Sequence, residues 1–224
     1  MLILALDTAT TDLVTGLVDT EISAAYDAVV PGTRGHNEQL MPTIMALLDD
    51  HATTLADLDG IVVGHGPGPF TGLRVGMVTA QALGQALRIP VHGVSSLDAI
   101  ATRHSADNLL VTTDARRREV YWASYQAGRR SAGPGVVRPE NLEPPHPVDA
   151  VVVPQRLVVK LPSHLQDLET VELSPRAAGL VAVADLAQAP EPLSPEYLRR
   201  PDAVPPPEPK RSAALPPLKK EARP

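Results

Sequence analysis

The sequence predicts an α/β protein of two related halves, each built on a mixed β-sheet. Its first three strand-like segments are joined by short turns, and strands joined in this way pair antiparallel. Strand and helix patterns then alternate, which indicates parallel strands with crossover helices on the faces of the sheet. The opening pattern, a strand that ends in Asp followed by a polar turn and a return strand, recurs at residues 109–125.

The first half begins with strands at Leu2–Leu6 and Leu13–Val18 and a weaker one within Ile22–Val30, separated by turn-rich linkers. The period then changes, because apolar residues at helical spacing predict a helix over Glu38–His51. Pro42 is tolerated only near the first turn of a helix, and this places the helix start at about residue 38.

A second set of elements completes this half. Gly60–Gly64 is an apolar, buried strand, and a Gly/Pro loop leads from it into a long helix over Thr71–Arg88. The next strand is Pro90–Val94. A further helix runs to His104, with Ser95 or Ser96 as its N-cap and Asp98 in its first turn.

The second half is expected to repeat this plan with weaker signals. Its strands are predicted at Leu109–Thr113, Glu119–Tyr125, Val151–Val153 and Leu157–Leu161. Ser174–Ala187 is predicted to be a helix, because a proline lies at its first helical position.

These elements divide the chain into an N-terminal lobe at 1–106, a smaller C-terminal lobe at 107–201 and a tail at 202–224. Eleven of the 24 prolines lie in residues 190–224, and the tail is expected to be disordered or extended. Residues 199–224 hold seven Lys and Arg against three Asp and Glu, whereas residues 1–198 hold thirteen against 23. Such an acidic body does not favour autonomous nucleic-acid binding.

Composition excludes several classes of protein and site. The chain has no Cys, so disulfides, thiolate metal sites and a Cys nucleophile are ruled out. One Trp, four Tyr and one Phe do not supply an aromatic platform for single-stranded nucleic acid. No two His lie closer than twelve residues, so a His-based metal site is not expected. We expect no membrane span and no signal peptide, and a cytoplasmic location.

The Gly-rich segment Gly64–Gly72 lies between a strand and a helix, where phosphate-binding loops occur. It lacks the Lys of a P-loop, and its glycine spacing departs from the dinucleotide-binding pattern. Pro67 and Pro69 also remove two amide donors. Tight packing of the backbone is therefore the favoured interpretation of this loop.

The helix after this loop carries a stripe of small residues at every fourth position, and it is apolar nearly all round. A helix of this kind must be buried on all sides. One face is expected to pack on the sheet, and the other requires a second helix, either from this chain or from a partner. The stripe consists of Gly72, Gly76, Ala80 and Gly84.

Six segments together resemble the TsaB (YeaZ) family. The resemblance is dense over residues 1–125, thin over 126–190 and present again near 195–203. Gly64–Gly76 is the most specific segment. The others are Ile3–Thr10, Gly35–Leu40, Val91–Asp98, Asp114–Tyr121 and Pro195–Arg199.

The resemblance implies an actin-like ATPase-superfamily (ASKHA) fold of two related lobes, with mixed central sheets flanked by helices. It implies a role in making threonylcarbamoyladenosine beside the tRNA anticodon, where threonylcarbamoyl passes from threonylcarbamoyl-AMP to adenosine. In that family the larger paralogue TsaD is the catalyst, and a helix of TsaD carries a His-x-x-x-His metal pair. This chain has Ser96 and Ile100 at the matching positions, and neither side chain replaces imidazole as a ligand. The chain is therefore expected to be no enzyme by itself and to hold no metal or other cofactor.

The resemblance also implies the partners: a TsaD heterodimer, the ATPase TsaE, tRNA through the complex, and a homodimer when the chain is alone. The helices Glu38–His51 and Thr71–Arg88 correspond to those that build the dimer. We expect Gly76→Leu or Ala80→Leu to block the partner and leave the monomer folded. The expected interface residues are Leu40, Ile44, Leu47, Leu48, Gly72, Leu73, Gly76, Met77, Ala80, Leu83 and Gly84.

Two other functions remain open. The first is an ATP-binding kinase or ATPase of the same fold, in which a polar turn of the first lobe faces Asp114 across Mg-ATP. Turn capping is the simpler interpretation of that turn. The second is a metal-dependent peptidase, which the missing His pair disfavours. An exposed, solvated turn is the expected state of Arg116–Arg118, and contact of this turn or of the basic tail with tRNA stays open. The candidate nucleotide-loop residues are Asp7, Thr8, Thr10, Asp12 and Asp114.

Overall fold

The structure is a computed structural model that describes residues 1–199. The predicted tail at 202–224 lies outside the described residues. The described chain forms two five-stranded mixed sheets, one in each half of the sequence.

The first sheet has the strand order β3-β2-β1-β4-β5. Strand β1 pairs antiparallel with β2, which pairs antiparallel with β3, while β1, β4 and β5 run parallel. Three helices belong to this lobe, and they begin and end close to the predicted residues. The elements are β1 (Leu2–Asp7), β2 (Leu13–Asp19), β3 (Ala24–Val30), α1 (His36–Asp50), β4 (Gly60–Gly64), α2 (Phe70–Leu87), β5 (Val91–Val94) and α3 (Ser96–Ala101).

The second sheet has the order β8-β7-β6-β9-β10, which is the order of the first sheet repeated. The predicted duplication of the fold is therefore confirmed. Short 3-10 helices at Pro139–Asn141 and Gln155–Lys160 lie in its connections. The elements are β6 (Asn108–Asp114), β7 (Val120–Gln126), β8 (Arg129–Val137), β9 (Ala150–Val152), α4 (Ser163–Gln166), β10 (Glu169–Val171) and α5 (Ala177–Ala182).

Both faces of strand β1 are covered, and this explains why the strand is almost entirely apolar. Leu4 and Leu6 face the cluster that α1 and α2 form on one side. Ile3 and Ala5 face the other side, where α5 packs. The boundary expected at residue 106 thus separates the two sheets, but α5 of the second half returns to cover the sheet of the first lobe.

Several predicted elements differ from the structure. Leu157–Leu161 is not a strand, because these residues lie largely in the 3-10 helix at 155–160. The helix predicted over Ser174–Ala187 is confined to Ala177–Ala182. Ser95 lies at the N-cap position of α3 but makes no side-chain capping hydrogen bond. Ser96, the first residue of the helix, donates its hydroxyl to Asp7. The signals for β8, β10 and α4 were not found in the sequence.

Candidate functional site

The stripe of small residues on α2 faces its own lobe. A Cβ added at Gly76 would lie 2.5 Å from Thr8 Oγ1, and one added at Gly72 would lie 2.6 Å from the Thr8 carbonyl oxygen. A Cβ at Gly84 would collide with Val91 of β5. The Gly76 amide also donates to Thr8 Oγ1 at 3.0 Å. The stripe therefore faces the chain's own lobe and lets α2 pack closely against Thr8, just after β1, and against β5.

Most of the predicted interface residues are buried inside the chain in this structure. Nine of the eleven are buried by the chain itself, and Gly72 and Leu83 are partly buried. The side chains from α1 join those of β1 and β2 in one apolar cluster, since a helix packed on a sheet turns its apolar face inward. The nine buried residues are Leu40, Ile44, Leu47, Leu48, Leu73, Gly76, Met77, Ala80 and Gly84.

The outer face of α2 is exposed and carries few charges, whereas the exposed residues of α1 include Glu38, Asp49 and Asp50. Met45 of α1 is 42% exposed, and Val78 of α2 is 63% exposed. From residue 75 to residue 87, α2 contains no charged side chain, and its exposed positions there are occupied by Val, Gln and Ala. Solvent-facing helix surfaces normally carry charges, so this face has the composition of a protein–protein interface core.

An open cleft of about 1550 Å³ lies between the lobes. Four of the five candidate nucleotide-loop residues line it: Thr8, Thr10, Asp12 and Asp114. The hydroxyl of Thr8 is already engaged, because it donates to the Gly72 carbonyl at 2.7 Å. Asp114 pairs with Arg156 at 2.6 Å, and Asp12 accepts a hydrogen bond from the Gly32 amide at 3.0 Å.

The fifth candidate, Asp7, does not line the cleft. Its side chain is fully buried and accepts hydrogen bonds from Ser96 Oγ at 2.5 Å and from the Ala9 amide at 2.9 Å. Burial raises the pKa of Asp7 to about 6, although the hydrogen bonds from Ser96 and the backbone act in the opposite direction. A metal-bound nucleotide in the cleft therefore has no access to this carboxylate.

The residues present do not fit a Mg-nucleotide site of the kind considered above. Of its three carboxylates, Asp7 is fully buried at the end of β1, Asp114 is paired with an arginine, and Asp12 accepts a hydrogen bond from a backbone amide. Within residues 1–199, no three His, Asp or Glu side chains come together closely enough to hold a metal ion.

A C-terminal strap, defined as residues 193–199, joins the two lobes. Tyr197 stacks on Phe70 at the start of α2, with ring centroids 5.0 Å apart, and its hydroxyl accepts a hydrogen bond from Arg74 Nε at 2.9 Å. Arg199 reaches the second lobe, where it pairs with Glu119 and donates to the Ala115 carbonyl at 3.0 Å. Sequence reasoning noted the Pro195–Arg199 motif, but it did not find this bridging role.

Beneath the strap lies a polar junction between the lobes. The Glu196 amide donates to the His65 carbonyl at 2.9 Å, and burial raises the pKa of the Glu196 carboxyl and lowers that of His65. Asp98 accepts a hydrogen bond from the Tyr125 hydroxyl at 2.7 Å and pairs with Arg130 at 3.1 Å. These contacts hold β4, α3 and the second sheet in one arrangement.

The two positions at which a metal pair was considered are structural in this chain. Ser96 is almost wholly buried beside Asp7, and Ile100 is fully buried in the apolar cluster that joins α3 to β6 and β7. Helix α3 thus fastens the second lobe to the first.

The duplicated 3-2-1-4-5 sheets and the cleft between them define an actin-like ATPase-superfamily protein. The family model for TsaD, tRNA N6-adenosine threonylcarbamoyltransferase, matches residues 16–189. A solved structure of YeaZ from Pseudomonas aeruginosa is 30% identical with a TM-score of 0.70, covering 81% of this chain and 89% of that one. The chain therefore belongs to the TsaD family, as a member of its TsaB/YeaZ group.

Two further proteins are similar to this chain in sequence. An uncharacterized protein of Mycobacterium bovis is 49% identical over 207 residues, which cover 91% of this chain and 94% of the relative. The TsaB protein of Escherichia coli, named for tRNA threonylcarbamoyladenosine biosynthesis, is 37% identical over 130 residues. That match covers 56% of this chain and 55% of the relative. Over residues 1–199, none of the helices has the length and apolar character to cross a membrane.

Proposed function

We propose that the chain acts in threonylcarbamoyladenosine biosynthesis as the non-catalytic dimerisation subunit beside a TsaD-type catalyst. Membership of the TsaB/YeaZ group and the relative named for this pathway support the involvement. In this proposal, the partner carries the metal and nucleotide and transfers threonylcarbamoyl from threonylcarbamoyl-AMP to adenosine, and a TsaE-type ATPase joins the pair. This chain contributes the surface that holds the partner.

The observation that carries the non-catalytic role is the environment of Ser96 and Ile100. The resemblance matches these two positions to the TsaD metal pair, and here they hold a hydroxyl that donates to Asp7 and a buried alkyl group, neither of which replaces imidazole. Asp7, which accepts the hydrogen bond of Ser96, also accepts one from the backbone amide of Ala9. These three side chains are buried and packed, so they hold α3 in place and do not present a reactive group to solvent.

The proposed partner surface is the outer face of α1 and α2, and it replaces the buried residues expected from the sequence. Met45 and Val78 are its most exposed apolar side chains. Because α2 carries no charge between residues 75 and 87, removing water from this face costs little free energy. The same surface would allow two copies of the chain to associate when the partner is absent.

The test pairs two exposed valines, one on the proposed surface and one on the other lobe. Val78 on α2 and Val159 on the 3-10 helix of the second lobe are 63% and 77% exposed. Val78→Glu is expected to reduce co-purification of a TsaD-type partner at least tenfold and to lower threonylcarbamoyladenosine in cellular tRNA. Val159→Glu is the matched control and should change neither, and both variants should keep the wild-type melting temperature.

Two results would contradict the proposal at different levels. If Val78→Glu still captures the partner as well as Val159→Glu does, the outer face is not the interface. If cells that lack the chain keep their full level of threonylcarbamoyladenosine, the chain has no role in this pathway.

A further inference from the structure

The cationic side chains of the described chain are concentrated in one place, the cleft between the lobes. Residues 1–199 contain fourteen Lys and Arg and 23 Asp and Glu. Seven of the fourteen cations line the cleft, but only three of the 23 carboxylates do. The cleft is therefore positive in an otherwise acidic molecule. The seven are Arg34, Arg103, Arg116, Arg117, Arg156, Arg176 and Arg199.

The three carboxylates in the cleft are occupied by contacts of their own. Asp114 is paired with Arg156, Asp12 accepts the Gly32 amide, and Glu172 accepts the Gln155 amide at 3.0 Å. By contrast, no hydrogen bond or ion pair of the guanidinium is found for Arg34 or Arg116 within the described part of the chain. Both side chains are exposed. They are therefore available to an anion that enters the cleft.

The turn that presents arginines to the cleft is strained. Arg116, Arg117 and Arg118 all adopt positive φ angles, of 58°, 52° and 66°. Residues other than glycine seldom take this conformation, because it brings the Cβ atom too close to a backbone carbonyl oxygen. Three consecutive examples in one hairpin show that the fold holds these side chains in place at a cost in stability.

We infer that the cleft binds the phosphate backbone of RNA, and the RNA is identified as the tRNA substrate only through the function proposed above. Guanidinium groups donate paired hydrogen bonds to phosphate oxygens, and arginine is the side chain best suited to this contact. The cleft volume of about 1550 Å³ exceeds the 300–1,000 Å³ that is usual for small ligands, and arginines from both lobes surround it. An extended polyanion fits this distribution better than a single nucleotide.

The sequence beyond the described residues also has a net positive charge. The strap ends at Arg199, which lines the cleft. Residues 200–224, which follow, contain six Lys and Arg against three Asp and Glu. The net charge of residues 200–224 therefore has the same sign as that of the cleft.

The experiment compares two double charge reversals in the full chain. Arg34→Glu/Arg116→Glu alters the cleft. Arg88→Glu/Arg129→Glu is the matched control, because both of its residues are exposed, lie outside the cleft and have no described side-chain partner. Arg88 also shares the positive φ of Arg116, at 60° against 58°. Binding of a fluorescently labelled, unmodified tRNA transcript is measured by anisotropy over a range of salt concentrations.

We expect the cleft variant to weaken tRNA binding at least tenfold and to reduce the slope of log K against log salt by roughly 1.5 to 2, since two phosphate contacts are lost. The control variant should stay within threefold of the wild type. Equal effects of the two variants, or no salt-dependent binding by the wild type alone or in its complex with the partner, would overturn the proposal. ATP with Mg²⁺ that displaces tRNA one for one would reassign the cleft to a nucleoside polyphosphate.

The outcome is separate from that of the proposed function. If the chain captures no TsaD-type partner but its tRNA binding depends on the cleft arginines, the dimerisation role is contradicted and the RNA-binding site still holds. If the chain captures the partner normally but the two double charge reversals change tRNA binding equally, the cleft is not an RNA-binding site and the dimerisation role still holds.

Discussion

Ser96, at the start of α3, donates a 2.5 Å hydrogen bond to Asp7, at the end of β1, across 89 positions of sequence. This contact connects the first strand of one lobe to the helix that anchors the second. It also leaves a carboxyl group fully buried, so its ionisation is coupled to the stability of the fold.

We predict that Asp7→Asn stabilises the protein at neutral pH. Because burial raises the pKa of Asp7 from 3.8 to about 6, the folded state binds its proton more tightly than the unfolded state does. The resulting stabilisation is complete below about pH 4 and is lost as pH rises through about 6. A shift of about two units corresponds to roughly 3 kcal/mol, and this is the largest difference expected between wild type and variant.

The measurement is the difference in unfolding free energy between wild type and Asp7→Asn from pH 4 to pH 7, by denaturant titration. Subtracting the two curves removes the contributions of the other carboxylates. Ser96→Ala provides a second test, because loss of its hydrogen bond should raise the pKa of Asp7 further and move the midpoint of the difference to higher pH. A difference that stays flat between pH 4 and 7 contradicts this account.

The second prediction concerns the stripe on α2. Gly76→Ala should destabilise the fold by about 2 kcal/mol or more, since its Cβ would lie 2.5 Å from Thr8 Oγ1. In the double variant Thr8→Ala/Gly76→Ala, the oxygen that clashes is absent, so the two costs should be less than additive. Ala82→Leu, on the exposed side of α2, is the control for the helix and should keep the wild-type melting temperature. Additive costs would show that this contact does not limit the approach of α2.

This result also replaces the earlier expectation for Gly76→Leu and Ala80→Leu. Both positions are buried against the chain's own lobe, so larger side chains there should damage the monomer before they affect a partner. Loss of partner binding in such variants would carry no information about the interface.

The elements that the sequence predicted well are those with long, regular patterns. The helix over 36–50 carries apolar residues at helical spacing, the helix over 70–87 is largely apolar over eighteen residues, and Leu2–Leu6 is an unbroken apolar run followed by a turn. The recurrence of the opening pattern was enough to predict the second lobe. The segment Leu157–Leu161 was assigned wrongly because a short apolar run is compatible with a strand or a helical turn.

The candidate site was harder to predict, for reasons that lie in tertiary structure. A stripe of small residues permits close approach, but the pattern is the same whether β1 or a partner approaches it. Only the position of Thr8 settles the question in favour of β1. Asp7 resembled a cleft carboxylate because nothing near it in sequence reveals Ser96. The cleft arginines come from segments that are far apart in the chain, so the sequence reveals their number but not their convergence.

The third prediction concerns the strap. Tyr197→Phe removes the hydrogen bond from Arg74 and keeps the stacking on Phe70, so it should cost about 0.5–1 kcal/mol. Tyr197→Ala loses both contacts and should cost about 1–2 kcal/mol, with faster amide exchange at Glu196, whose amide donates to His65. Thermal unfolding and hydrogen exchange measure the two effects. Equal stability of the Phe and Ala variants would show that the stacking contributes nothing.

The last prediction tests whether α3 retains any capacity for the metal pair. Ser96→His/Ile100→His restores two imidazoles at the spacing of the TsaD pair, but it places one in an apolar cluster where Ile100 is fully buried. We expect a loss of roughly 2–4 kcal/mol and no rise in melting temperature with Zn²⁺, since burying an unpaired polar group outweighs any coordination. Ile100→Leu, which keeps the volume, controls for packing and should cost less than about 1.5 kcal/mol. A melting temperature that rises with Zn²⁺ in the double variant alone would show that the scaffold still forms a metal site and that only its ligands were replaced.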